Sequence, residues 1–163
     1  MNVIILVLSC ERPPYDKLYE AQRKTWDSVE VPNVATRYYF CDGLAAAPWM
    51  LRQALDGVWR EPWTFVFRTN SSSYVDKRAL LKFAEGLPVV RCYCGMDGGG
   101  FASGAGFFLS RDCADVLRHE LDEKASPLAE DELGGQVLAG KGLGVTPGAR
   151  RHDYWLREHL RSA

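Results

Sequence analysis

The stretch FVFRTNSSSYVD, residues 65–76, decides the fold class, because it joins an apolar strand to a run of small polar side chains. Residues 63–70 are apolar enough to form a central strand that is covered on both faces. Asn70 and the three serines after it favour a turn, since their side chains compete for backbone hydrogen bonds. Strand ends in open α/β sheets are also where ligands bind. The segment is therefore either a plain turn or a ligand-binding shelf.

Strand and helix patterns alternate on both sides of this segment. Apolar runs predict strands at 3–8, 34–43 and 88–96, and a glycine loop leads into a further strand within 98–110. Amphipathic patterns predict helices within 9–26, 47–59, 76–87 and 111–121, and from about 128 to about 139. Leu80, Leu81 and Phe83 are expected to face the core, and Ser126 to cap the last helix. This order predicts an α/β domain whose sheet carries interleaved helices.

The chain's size and charge limit the classes of protein it can be. Its 163 residues fit one domain, 1–163, large enough to bury a core without disulfides or metals. The formal net charge of −1 disfavours a nucleic acid partner. The apolar run 3–8 is too short for a membrane span and lacks the basic flank of a signal peptide. We expect a soluble domain with no membrane span.

The cysteine pattern favours a reducing environment. Five cysteines, an odd number, are scattered over apolar segments. Such a pattern favours reduced core thiols over a disulfide framework, and so predicts a cytoplasmic protein. Cys92 and Cys94 alternate onto one strand face, but no second pair or nearby histidine completes a set of four zinc ligands.

One motif mimics a phosphate-binding loop. Gly135, Gly140 and Lys141 have the required spacing, but Gly142 stands where the magnesium-binding Ser or Thr belongs. The intervening residues follow a helical pattern, whereas a phosphate loop must follow a strand. We therefore do not expect an ATPase.

The segment after the first strand also has no glycine, which disfavours a Rossmann dinucleotide site.

Two further segments have both a structural and a functional interpretation. The carboxylates of Glu130, Asp131 and Glu132 fall in the first turn of a predicted helix, where the helix dipole stabilises them and where ligands also bind. Gly104 and Gly106 either allow close packing or leave room for a substrate beside the backbone.

Five segments occur in an order that resembles a known family. EAQRKTW (20–26), YYFCDG (38–43), FVFRTNSSSYVD (65–76), FASGAGFFLSRD (101–112) and AEDELGG (129–135) together resemble the GT-A glycosyltransferases of the Fringe and β-1,3-galactosyltransferase group. The resemblance covers residues 3–145. It implies a single-domain, Rossmann-related GT-A fold with a mixed sheet flanked by helices, and a nucleotide-sugar donor, most simply a UDP-sugar.

The resemblance also implies roles for residues at the strand ends. Asn70, Ser71 and Ser72 match the family's acidic metal motif, but neutral side chains replace its aspartates, so no divalent metal is expected through that motif. Arginines are then needed to stabilise the leaving diphosphate. Arg68 has the alternative of pairing with a helix carboxylate, and Arg23 that of a solvated helix residue. The residues assigned to the donor are Ser9, Arg12, Arg23, Trp26, Asp42, Arg68, Thr69, Asn70, Ser71 and Ser72, with Arg150 and Arg151 as further guanidinium groups.

On the acceptor side, the resemblance assigns the strand segment of Ser103, Gly104, Ala105 and Gly106. Asp131 takes the place of the family's catalytic carboxylate, with Glu130 beside it, and His152 matches a histidine that often completes the metal site. The implied reaction is inverting glycosyl transfer to a glycan or other hydroxyl acceptor, with Asp131 as the base. The alternative is a sugar-nucleotide or glycan-binding module that kept the fold without turnover, which loss of the metal carboxylates favours.

Overall fold

The computed structural model describes residues 1–41, 47–121 and 128–148. It contains a six-stranded mixed sheet with strand order β2-β1-β3-β5-β4-β6. The strands are β1 Val3–Cys10, β2 Val34–Cys41, β3 Phe65–Asn70, β4 Tyr93–Asp97, β5 Ala102–Ser110 and β6 Thr146–Pro147. Five α-helices flank the sheet within the described residues: α1 Tyr15–Lys24, α2 Ala47–Val58, α3 Lys77–Ala84, α4 Arg111–Glu120 and α5 Glu130–Gly140. The predicted α/β class with a mixed sheet is confirmed.

The direction of β5 determines which residues meet at one edge of the sheet. β2, β1 and β3 run parallel to one another, whereas β5 runs antiparallel to β3 and to β4. The ends of the parallel strands and the beginning of β5 therefore lie at the same edge, which we call the carboxyl edge. Asn70 at the end of β3 and Ala102 at the start of β5 are both at this edge.

Both faces of the sheet are buried, as the apolar sequence of β1 requires. Val3, Ile5 and Val7 pack on one face with Trp26 and with residues of α3. The intervening side chains of β1 pack on the other face, against α2, α4 and α5. The period-two alternation of strand side chains thus serves two separate apolar cores.

Several predicted boundaries were wrong. β4 begins at Tyr93 rather than near residue 88, because Arg91 has a positive φ of 53° that a regular strand does not accept. Val89 and Val90, which precede this point, are exposed. Phe83 is also exposed, because the short helix α3 turns Leu80 and Ala84 inward, four residues apart.

The last helix and the last strand also differ from the prediction. Ala129, and not Ser126, occupies the N-cap position of α5, and Ser126 lies outside the described residues. The strand β6 was not predicted, because it is only two residues long. Among the described helices, none has the length and apolar character needed to cross a membrane.

The residues that mimic a phosphate loop belong to α5, as their helical pattern predicted. Gly135 lies where this helix crosses the start of β5. A Cβ built there comes within 2.3 Å of Phe101 Cβ and 2.9 Å of Phe101 Cα. A glycine is therefore required at this point for helix packing and not for binding phosphate.

We predict that Gly135→Ala lowers the free energy of unfolding by about 1–3 kcal/mol, because the added methyl group overpacks the contact with Phe101. Gly140→Ala is the matched control, since Gly140 ends the same helix and has open space around it. Alanine is also the better helix former. Denaturant unfolding of both variants measures the difference, and equal stability of the two would contradict the packing argument.

Candidate functional site

A buried ion pair lies beneath the carboxyl edge. Arg68 of β3 donates to the Glu130 carboxylate at the start of α5, and the two side chains are 8% and 2% exposed. Burial raises the pKa of Glu130 to about 7, although the charge of Arg68 acts in the opposite direction. The neighbouring Asp131 carboxylate adds to the increase. Because both side chains are almost fully buried, their pairing fixes the framework of the site.

Gly104 connects the predicted donor, acceptor and catalytic segments through its carbonyl oxygen and its N–H, which belong to the two peptide groups that flank its Cα. Its carbonyl oxygen accepts hydrogen bonds from Arg68 Nη1 and, at 3.2 Å, from Asn70 Nδ2. Its N–H donates to Asp131 Oδ2 at 2.7 Å. A Cβ at this position would come within 2.8 Å of Arg68 Nη1 and 3.1 Å of Asp131 Oδ2. Glycine thus permits the close approach of two side chains, those of Arg68 and Asp131.

Of the neighbouring carboxylates of Glu130 and Asp131, that of Asp131 remains partly exposed. Its Oδ1 accepts from the backbone N–H of Glu132 at 3.0 Å, and its Oδ2 accepts from Gly104. Each carboxylate oxygen has two acceptor sites, so one on each oxygen is left for a ligand hydroxyl. The carboxylate is held in a fixed orientation at the carboxyl edge and can accept a proton there.

The Asn-Ser-Ser-Ser segment after β3 forms a turn that satisfies its own polar groups. Asn70 Oδ1 accepts from Ser72 Oγ at 2.7 Å and from Ser73 Oγ at 2.9 Å. The Ser73 hydroxyl also lies 3.0 Å from the Ala105 carbonyl oxygen, which Thr69 Oγ1 contacts at 2.8 Å. Asn70 therefore organises the turn, and Ser72 is its exposed hydroxyl.

This turn does not fit a divalent cation. Asn70 Oδ1 accepts from Ser72 Oγ and lies 2.9 Å from Ser73 Oγ, and Ser71 is buried. Ca²⁺, Mg²⁺ and Mn²⁺ prefer sites with carboxylate oxygen, which these positions lack. Across the described part of the chain, no group of three or more His, Cys, Asp or Glu side chains is placed to hold a metal. Asp42 and His152 lie outside the described residues, as do Arg150 and Arg151.

Gln22 is a residue of this site that the sequence analysis missed. Its Nε2 donates to the carbonyl oxygens of Asn70 at 3.1 Å and Ser73 at 2.7 Å, so the buried side chain ties α1 to the turn. The sequence did contain a sign of this role, because Gln22 is a polar residue at helical spacing between Leu18 and Trp26 on the apolar side of the predicted helix. A glutamine on that stripe must find hydrogen-bond partners when it is buried.

The residues assigned to the donor from β1 and α1 lie in different surroundings. Ser9 is buried at the end of β1, and its Oγ has no hydrogen-bond partner among the described residues. Arg12 is exposed just beyond β1. Arg23 instead forms an ion pair with Asp27 on its own segment at 3.0 Å, and Trp26 is a core residue. The expected roles of these last two side chains in a nucleotide pocket are not supported by their positions.

On the acceptor side, Ser103, Gly104, Ala105 and Gly106 all lie in β5. Gly106 has a packing role, because a Cβ there would come within 2.4 Å of Phe67 Cζ. Of the two glycines, Gly104 is the one that contacts the site.

Comparison with known proteins assigns no family to this arrangement. No family model matches the chain, and the search of curated proteins finds no match either. The resemblance to glycosyltransferases therefore rests on the five motifs themselves.

We predict that Glu130→Gln changes the pH dependence of stability. Because the pKa of Glu130 is about 7 in the folded protein and its ordinary value is 4.5, the folded state holds the proton more tightly between these pH values. The parent protein therefore loses stability from this group as pH rises through that window, and the variant does not. Denaturant unfolding across the window checks this. Parallel pH profiles for the two proteins would contradict the raised pKa.

Proposed function

We propose that the chain is a glycosyltransferase that moves a sugar from a nucleotide-sugar donor, most simply a UDP-sugar, to a hydroxyl acceptor with inversion. The observation that carries the proposal is the position of Asp131. Its carboxylate is partly exposed and is hydrogen-bonded to Gly104 of β5. The carbonyl oxygen of the same residue accepts a hydrogen bond from Asn70 Nδ2 at the end of β3. A potential base is thereby connected to the two segments that the resemblance assigns to acceptor and donor.

In the proposed reaction, the acceptor hydroxyl oxygen attacks the anomeric carbon of the donor. A bond forms between this oxygen and the carbon while the bond from the carbon to the diphosphate breaks. Asp131 accepts the hydroxyl proton, which increases the nucleophilicity of the oxygen. The two backbone N–H groups that bond to Asp131 keep its carboxylate oriented.

The leaving diphosphate carries the charge that develops in this reaction, and donors fixed near it lower the barrier. Arg68 is excluded from this role by its buried pair with Glu130. Arg12 is exposed after β1, close in sequence to Ser9, whose hydroxyl has no hydrogen-bond partner within the described part of the chain. We assign Arg12, Ser9 and the exposed Ser72 hydroxyl to the donor side of the site.

A second function is a binding module that holds a sugar nucleotide or glycan without turnover. The neutral set of Asn70, Ser71 and Ser72 favours it, because the carboxylates with which the family holds its metal are replaced at these positions. Asp131 favours the enzyme, since a binding module does not need a base at this position.

A thermal-shift panel of sugar nucleotides identifies the ligand. Donor binding without transfer or donor hydrolysis would then decide for the module.

We predict that Asp131→Asn lowers turnover by roughly 100-fold or more, because asparagine cannot accept the acceptor proton. Donor affinity should change little, since the amide oxygen can still accept the Gly104 N–H. The measurement is steady-state transfer, or donor hydrolysis, at saturating donor. Glu132→Gln in the same helical turn is the control and should keep its activity. If Asp131→Asn retains more than half of the parent turnover, Asp131 is only a helix N-terminal charge.

We also predict that activity survives excess chelator, because the positions that match the metal motif offer only neutral oxygens. In that case Arg12→Ala should lower turnover, whereas Arg78→Ala on the exposed side of α3 should not. Transfer is measured in chelator and again with added manganese. Activity that is lost in chelator and restored by manganese would contradict the metal-independent mechanism.

A further inference from the structure

The cysteines fall into two groups by burial. Cys92, Cys94 and Cys113 are buried, and burial raises the pKa of each thiol, to about 12 for Cys92. Thiols of this kind rarely form the reactive thiolate. Cys10 and Cys41 are only partly buried, and each is the last residue of its strand. These two cysteines therefore differ from the rest in exposure and in position.

The sheet register places Cys10 and Cys41 side by side. β1 and β2 are parallel, and the two cysteines are direct partners across the ladder. The preceding pair on the same face, Leu8 and Tyr39, packs with the core that α2 covers, and Cys41 packs against that core too. Since strand side chains alternate, Cys10 points to the same face as Leu8. The two thiols thus share one face of the sheet.

The distance between the two residues is suitable for a disulfide. Neighbouring strands lie about 4.8 Å apart, which is within the Cα separation of disulfide-bonded cysteines. The Cys41 thiol already leans toward β1, where its Sγ lies 3.7 Å from the carbonyl oxygen of Ser9. The Cβ atoms of direct partners in a parallel ladder are somewhat farther apart than a disulfide prefers. A small shift at the strand ends closes this gap.

We propose that Cys10 and Cys41 form a reversible modification site, a cross-strand dithiol that is oxidised by small disulfides of the glutathione type. One thiolate attacks a glutathione disulfide, forms a mixed disulfide and releases one glutathione thiol. The second thiolate then attacks the protein sulfur of that mixed disulfide and releases the other glutathione thiol. Two protein thiols are oxidised, one small disulfide is reduced, and the two thiol protons pass to the released thiolates.

The bond links the ends of β1 and β2 beside Ser9, so it changes how freely that part of the carboxyl edge adjusts to a ligand. The proposal does not depend on glycosyl transfer, because it follows from the strand register and from burial. A bond that requires a shift of both strand ends is reduced more readily than an unstrained structural disulfide. We therefore expect mild dithiol treatment to reverse it.

The test treats the folded 163-residue chain with oxidised glutathione at pH ~8, where thiolates form. Remaining thiols are then blocked, and the digested protein is mapped by mass spectrometry. We expect the Cys10–Cys41 peptide pair to exceed any linkage to Cys92, Cys94 or Cys113 by roughly 10-fold or more, because buried thiols exchange slowly. Dithiothreitol should return both cysteines to the thiol form.

Two controls distinguish pairing imposed by the register of β1 and β2 from the general reactivity of exposed thiols. In denaturant the preference for Cys10–Cys41 should disappear, because the strand register is lost. In folded Cys10→Ser, Cys41 should stop at the mixed disulfide with glutathione. If the folded parent protein gives only mixed disulfides, or links Cys10 and Cys41 no more often than other pairs, the proposal is overturned.

Discussion

The buried ion pair of Arg68 with Glu130 is the interaction on which the carboxyl edge depends. It joins the central strand β3 to the first residue of α5, and the same guanidinium holds the Gly104 carbonyl of β5. Removal of one partner of a buried pair leaves an uncompensated charge, which destabilises a protein by about 3–5 kcal/mol. The position of Asp131 follows from this pair, because Asp131 is the next residue of the helix.

The local patterns of the sequence predict most of the fold and only part of the site. The apolar runs of β1 and β3 and the helical stripes of α1 and α4 are visible in short windows, which is why these elements were predicted. The pattern left Arg68 two interpretations, donor binding or a pair with a helix carboxylate, and it could not identify Glu130 as the partner, because that residue lies 62 positions away. The burial of Trp26 agrees with the amphipathic pattern of residues 9–26, and its expected role beside a nucleotide stays a prediction.

The polar turn after β3 shows how one segment fits both interpretations of its sequence. Asn70 uses its side chain to fix Ser72, Ser73 and Gly104, as in a structural turn. That same bonding leaves the Ser72 hydroxyl exposed at the edge where ligands bind in open sheets. Gln22 supports the turn from the opposite side. A rigid turn and a binding shelf are thus compatible in this protein.

The antiparallel strand β5 has a consequence for the order of events during synthesis. The contacts that complete the site join β3 to segments 36 and 62 residues later in the chain, so large loops must close before Asp131 is in place. Contacts of this separation form slowly. A nascent chain that has emerged only as far as β4 holds the polar turn without its carboxylate partner. The carboxyl edge is therefore assembled only after α5 has left the ribosome, and shorter fragments expose the turn without Asp131.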